Sequence, residues 1–194
     1  TWKQRSAVQR LIPQLGKLAM TLLRTQRVWL FQDSVIWKTP RTQQDIAWHQ
    51  DYSYWPLDRP EGIVLWTALD AVQEDGGCIE VLPGSQRQGE RAPTDFSRAG
   101  QHSLDSSLPS PELEGAEQRI RIPVSAGSVI AMSPLLLHRS GANLTKQHRR
   151  AIAMTFITES VCWNTEHAPH PYPVFNSVQS GTPPRGNDFP EVTL

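Results

Sequence analysis

His49-Gln50-Asp51, with His138 and Arg149 far downstream, are the residues of this chain whose types and spacing could do chemistry. In a β-strand alternate side chains face the same way, so a His-x-Asp triplet projects an imidazole and a carboxylate toward one point. A second imidazole, from His138, would complete a face of two nitrogens and one carboxylate. That donor set is the facial triad of non-haem Fe(II) oxygenases, which leaves three positions of the ion open for a co-substrate and O2. Arg149 supplies the charge that the triad lacks. A 2-oxo acid that chelates iron through its ketone and near carboxylate leaves a far carboxylate, and a planar guanidinium can grip it with two parallel hydrogen bonds.

A His-x-Asp triplet alone arises by chance in many chains, so its weight comes from its company. His138-Arg139-Ser140-Gly141-Ala142-Asn143 ends an apolar run from Ser128 to Leu137, and a second run, Ala151 to Ile157, follows. That pattern reads as strand, turn, strand. If the two runs pair as a hairpin, His138 and Arg149 lie at the same end of one sheet and face one cavity. Arg150 competes with Arg149 as the anchor, but neighbours in a strand face opposite ways, and only one can point inward.

Several ordered blocks resemble the phytanoyl-CoA dioxygenase family of Fe(II)- and 2-oxoglutarate-dependent oxygenases. They are Trp48-His49-Gln50-Asp51 with Tyr54-Trp55-Pro56, then Trp66-Thr67-Ala68-Leu69-Asp70, then Gly76-Gly77-Cys78 through Pro83-Gly84-Ser85, and His138 through Ile152. The step of 11 residues from His138 to Arg149 agrees with the family spacing and selects Arg149 over Arg150. The likeness spans about Arg27 to Ile157; one departure is Gln86, where the family often has His. The resemblance implies Fe(II) held by His49, Asp51 and His138, and 2-oxoglutarate anchored by Arg149 with Ser140 beside it. It implies that Gln32 and Trp66 line the co-substrate pocket. It also implies oxidation of a substrate C–H bond coupled to decarboxylation of 2-oxoglutarate to succinate. Related halogenases replace the carboxylate with a small residue, so the intact Asp51 argues for hydroxylation, desaturation or ring formation. The family usually carries more sequence upstream and this chain opens with Thr1, so a further N-terminal portion is expected.

Other readings stay open beside these. Ser140 could be a turn serine bonded to its own backbone, and Trp66 is large enough to be buried for its apolar area alone. Gln32 in an apolar strand needs partners for its amide. Tyr54 and Trp55, leaving the strand after the triplet, form either an aromatic wall over a substrate or ordinary core. His102, His148, His167 and His170 lack ligand-like spacing with a carboxylate. A cupin-like metal enzyme that uses no 2-oxo acid, or a silent binding module, would have no need of Arg149 or of the full set.

The elements that must position these groups follow from the patterning. With 194 residues, 38% of them hydrophobic, and seven Trp, the chain suits a single oxygenase domain over 1–194 with a sizeable core. Apolar residues at Leu11, Leu15, Leu18, Leu22 and Leu23 predict a helix within Ser6 to Gln26, with Pro13 near its start. Short β-rich runs follow, at Arg27 to Thr39, Ile46 to Asp51, Gly62 to Leu69, Cys78 to Leu82, Arg119 to Val124 and Ser128 to Leu137. Punctuated by turns, they predict a mainly β fold, a double-stranded β-helix of jelly-roll or cupin-like form with a flanking helix, its barrel core at about 27–158. Residues 87–118 form a polar excursion that reads either as a disordered loop or as a substrate lid. Residues 163–194 form a Pro-rich tail unsuited to helix or sheet. The 19 basic and 19 acidic residues balance without blocks of like charge, which gives no footprint for nucleic acid. No apolar stretch reaches membrane-spanning length, and Cys78 and Cys162 suggest neither a disulfide framework nor a zinc site. A cytoplasmic protein acting on a small molecule with O2 is the expectation.

Overall fold

A computed structural model describes residues 2–94, 118–168 and 178–193. Among the described residues, nine strands follow two helices, α1 (Ser6–Gln9) and α2 (Leu11–Leu23): β1 (Arg27–Lys38), β2 (Ile46–His49), β3 (Gly62–Ala68), β4 (Ile79–Val81), β5 (Ile120–Ile122), β6 (Val129–Met132), β7 (His138–Ser140), β8 (Arg149–Ile157) and β9 (Glu191–Thr193). They form a five-stranded sheet in the order β6-β3-β8-β1-β9 and a four-stranded sheet in the order β2-β7-β4-β5. All pairings are antiparallel. This is the double-stranded β-helix, mainly β with a flanking helix.

Alternation along the strands assigns each face. On β8, Ile152, Met154 and Phe156 face outward and meet Val8, Ile12, Leu15, Ala19 and Met20 of the helices, with Val28, Leu30, Ile63 and Leu65 from the neighbouring strands. Each such side chain, fully buried, contributes about 1.5–3 kcal/mol, enough to seat the helix on the sheet. Pro13 falls in the first turn of α2, where its missing N–H costs nothing. Gly16 is needed where the helix crosses β9, because a Cβ there would lie 2.6 Å from Val192. The opposite face of the large sheet, with Val64, Trp66, Ile130, Met132 and Ala151, packs toward Ile79 and Val81 of the small sheet.

Three expectations are corrected. The runs 128–137 and 151–157 do not pair as a hairpin: β6 pairs with β3, β8 lies between β3 and β1, and His138 stands on β7 in the other sheet. Periodicity shows which face a residue takes, but not which strand lies beside it. The triplet does not ride wholly on a strand either, since β2 ends at His49 and Asp51 caps a short 3-10 turn, Tyr52–Tyr54. The tail, expected to lack sheet, supplies β9 at the edge beside β1, just after Pro190. Edge position allows this, because a proline there removes no central ladder bond.

A bulge in β1 matters for the site. The register against β8 shifts between Leu30 and Gln32. Trp29 and Phe31 face the core before it, and Gln32, Ser34 and Ile36 line the cavity after it, so the extra residue moves the even-numbered positions inward. No helix among the described residues is long and apolar enough to cross a membrane. Expectations for 87–118 and for the tail fall partly on 95–117 and 169–177, and those for His102 and His170 wholly so; these lie outside the described residues.

Candidate metal and co-substrate site

β2 and β7 are adjacent, and their register sets His49 opposite His138. The two rings lie 4.2 Å apart between centres. The turn after β2 then swings Asp51 back between them: its Oδ1 is 3.5 Å from His49 Nε2 and 3.8 Å from His138 Nε2. The three donor groups lie within 4.8 Å of one another, close enough to share one metal ion. Each imidazole is oriented by the backbone two residues before it. His49 Nδ1 donates to Ala47 O at 2.8 Å, and His138 Nδ1 donates to Leu136 O at 3.0 Å. A carbonyl can only accept, so the neutral rings carry their proton on Nδ1 and turn the Nε2 lone pairs toward Asp51.

Electrostatics supports the same state at His138. Burial pushes the His138 imidazole below its ordinary value, with His49 adding to the effect, so the ring is a neutral donor. Burial disfavours the Asp51 anion, but His138 and His49, wherever they carry a second proton, outweigh it and hold the carboxyl below the usual range.

Arg149 opens β8 on the inner face of the large sheet and is only 2% exposed. Its guanidinium lies over the Trp66 ring, 4.6 Å from the ring centre. Among the described residues none of its three nitrogens finds a hydrogen-bond partner, nor do the buried Trp66 Nε1 and Ser140 Oγ. Burial pushes Arg149 down to about 10, which leaves it charged near neutral pH. An unpaired buried cation is costly, and the cost is relieved by an anion brought in from outside. Arg150, facing the other way, is exposed and binds Asp70 through two side-chain bonds.

One cavity of about 130 Å3 joins these groups, many times the room that one water needs. Gln32, His49, Asp51, Trp66, His138, Ser140 and Arg149 all border it. Tyr54 and Trp55 do not border it. Trp55 is 3% exposed and packs edge-on against Phe31, while Tyr54 stands edge-on to His49 and donates its hydroxyl to Thr94 O. Two contributors escaped the sequence reading. Thr155 lines the cavity from β8. Lys38, the register partner of Arg149, is buried and donates from Nζ to Gln44 O, Ser140 O and Gly141 O at 2.9, 3.1 and 2.6 Å. A lysine ending an apolar strand ordinarily reads as a solvent-facing residue. Gly77, at φ +73°, lets the β3–β4 connection pass this knot, since a Cβ there would lie 2.8 Å from Gly141 O.

Two facing antiparallel sheets with a His-Asp-His cluster between their ends define a metal-binding barrel of the cupin-like class. The model of the phytanoyl-CoA dioxygenase family matches residues 4–151, and the chain belongs to that family. Human peroxisomal phytanoyl-CoA dioxygenase is 31% identical over 112 residues, which cover 56% of this chain and 32% of that protein. L-proline trans-4-hydroxylase of Streptomyces griseoviridis is 27% identical over 161 residues, 75% of this chain and 60% of that protein. The alignments therefore span about a third to three fifths of the length of these relatives. Among solved structures, the non-haem α-ketoglutarate-dependent carbocyclase SnoK from nogalamycin biosynthesis shares the fold, with a TM-score of 0.81 at 20% identity over 99% of this chain and 73% of that one.

Proposed function

We propose that this chain is the single oxygenase domain of a non-haem Fe(II)- and 2-oxoglutarate-dependent dioxygenase that hydroxylates, or otherwise oxidises, a C–H bond of a small molecule. The observation that carries this reading is the unpaired guanidinium of Arg149 in the same cavity as the three metal donors. A metal barrel that used no 2-oxo acid would bury that cation for nothing. The donor set fits Fe(II), since two imidazoles and one carboxylate leave the ion open on its other side.

His49 and His138 would hold the metal through Nε2 and Asp51 through its carboxylate. When bound, Fe(II) and 2-oxoglutarate supply the activation of O2 and the oxidising equivalents, with decarboxylation to succinate. Arg149 takes the far carboxylate, Ser140 Oγ donates beside it, and Trp66 offers Nε1 while its ring backs the guanidinium. Gln32 borders the same pocket from β1. Ile36, Val64, Ile79 and Met132 line the cavity with apolar surface that keeps water out. Trp55, packed edge-on against Phe31 and Tyr52, and Tyr54, edge-on to His49, are the aromatics assigned to the substrate side.

The relatives' names span an acyl-CoA and an amino acid, so the family leaves the substrate open. The balanced charge and two free thiols are in keeping with a small-molecule enzyme of the cytoplasm. The reading is tested by supplying Fe(II), 2-oxoglutarate and air with a panel of small molecules. Succinate formed in step with a product that has gained one oxygen, or lost two hydrogens, supports it. Product formed at full rate without 2-oxoglutarate contradicts it.

A further inference from the structure

Gln50 sits between two of the three metal donors, so any role for it rests on the proposed metal site. Just past the end of β2, its side chain does not border the cavity and is 3% exposed. There its amide makes three hydrogen bonds. Nε2 donates to Leu135 O at 2.7 Å and to Gly89 O at 3.0 Å, and Oε1 accepts from Arg91 N at 2.8 Å. Leu135 directly precedes Leu136, whose carbonyl orients His138, and Pro134 O receives Tyr52 N at 3.1 Å. One amide thus spans the His49–Asp51 turn, the chain leading to His138, and a third segment, 89–94.

Segment 89–94 is a strap laid along the triplet. Beyond Gln50, Ser53 Oγ donates to Arg91 O at 2.8 Å, Tyr54 Oη to Thr94 O at 2.8 Å, and Thr94 Oγ1 to Trp48 O at 2.7 Å. Among the described residues these joins run through side chains, with no backbone ladder between 48–54 and 89–94. Gln50 and Ser53, which do not border the cavity, and Tyr54, edge-on to His49, therefore hold the strap. A ladder would keep strap and turn together whatever the site held. Side-chain joins make their alignment depend on where the turn is set.

We propose that Gln50 is a positioning residue that fixes His138 relative to His49 and Asp51 and couples the order of the 89–94 strap to occupancy of the metal site. Coupling of this kind is reciprocal: whatever the strap contributes to metal binding, the metal returns as order in the strap. Groups that orient metal ligands from behind are worth 10- to 100-fold in metal affinity as a rule. Gln50→Met keeps the bulk and loses all three bonds. Gln50→Glu keeps the shape but sets carboxylate oxygens against two carbonyls.

The test is anaerobic Fe(II) titration of the apoprotein, with hydrogen exchange of the 89–94 amides read before and after Fe(II). In the wild type Fe(II) slows exchange at Arg91 and its neighbours. In Gln50→Met and Gln50→Glu the Fe(II) Kd rises about 10- to 100-fold, and Fe(II) no longer protects the strap. Once iron is saturating, 2-oxoglutarate affinity stays within about threefold of wild type, a split that general unfolding would not produce. Unchanged Fe(II) affinity in a folded Gln50→Met protein overturns the proposal. So does a wild-type strap indifferent to bound Fe(II), a result that needs no variant to fold and leaves the metal site itself standing. A wild-type protein that binds no Fe(II) overturns both.

Discussion

The guanidinium of Arg149 lies 4.6 Å from the centre of the Trp66 ring, and both residues turn unpartnered N–H groups toward one cavity. Stacking on an indole holds a cation in place without using up its hydrogen bonds. The five donors of the guanidinium are thereby kept for a planar carboxylate. Arg149→Lys retains the charge and loses the fork, so 2-oxoglutarate binding is expected to weaken about 10- to 100-fold, the value of one hydrogen bond to a charged group. Fe(II) affinity, measured without the co-substrate, should stay within about twofold of wild type. Equal loss of both would contradict separate roles for Arg149 and the triad.

Lys38, the register partner of Arg149, is expected to give the proposed co-substrate site a pH dependence. Burial, reinforced by the nearby positive charge of Arg149, pushes its ammonium down to about 8. A bound dianion favours the charged form and raises that value. Below about 8 the lysine is protonated with or without ligand, and affinity is flat. Above it, binding must take up a proton, so 2-oxoglutarate affinity falls as pH rises through 8. Kd values at pH 7 and pH 9 should differ several-fold in the wild type and be level in Lys38→Met. The same linkage sets the sign for folding. The cost of burying the ammonium is present below about 8 and is relieved as pH rises from there toward the ordinary lysine value.

Much of the site was legible because it rests on alternation. His49, His138 and Arg149 face inward as their spacing requires, and Arg150 turns out to Asp70. Strand partners were not legible. The apolar runs around His138 and Arg149 read as a hairpin, yet β6 and β8 are held apart by β3 and His138 stands in the other sheet, because pairing is decided by tertiary packing across the barrel. The β1 bulge also has no local signature, so Gln32 was placed through family likeness and not by counting alternate residues. Lys38 and Gln50 were passed over for a related reason. Their polar atoms are satisfied by carbonyls distant in sequence, and no pattern near either residue announces those partners.

Glu80 is the buried partner of Arg139, which donates to its Oε2 from Nε and Nη2 at 3.1 and 2.8 Å on the strand that carries His138. Glu80→Ala leaves that guanidinium buried without its carboxylate, with the Trp48 ring 5.4 Å away. Removing one partner of a buried pair costs about 3–5 kcal/mol. For a chain of this size the Tm should drop by roughly 6–20 °C. Calorimetry of the apoprotein reads this directly, and a fall of only a degree or two would mean that water reaches the pair.

Metal donors and co-substrate anchor sharing one site is tested most directly by an anaerobic titration of the metal-free protein with Fe(II) and then 2-oxoglutarate. The signal is the visible charge-transfer band that a 2-oxo acid gives on chelating Fe(II). A saturable band in the wild type, absent in His138→Ala and shifted to much higher 2-oxoglutarate concentration in Arg149→Lys, is the predicted result. Iron bound by the wild type with no band at any 2-oxoglutarate concentration would contradict it.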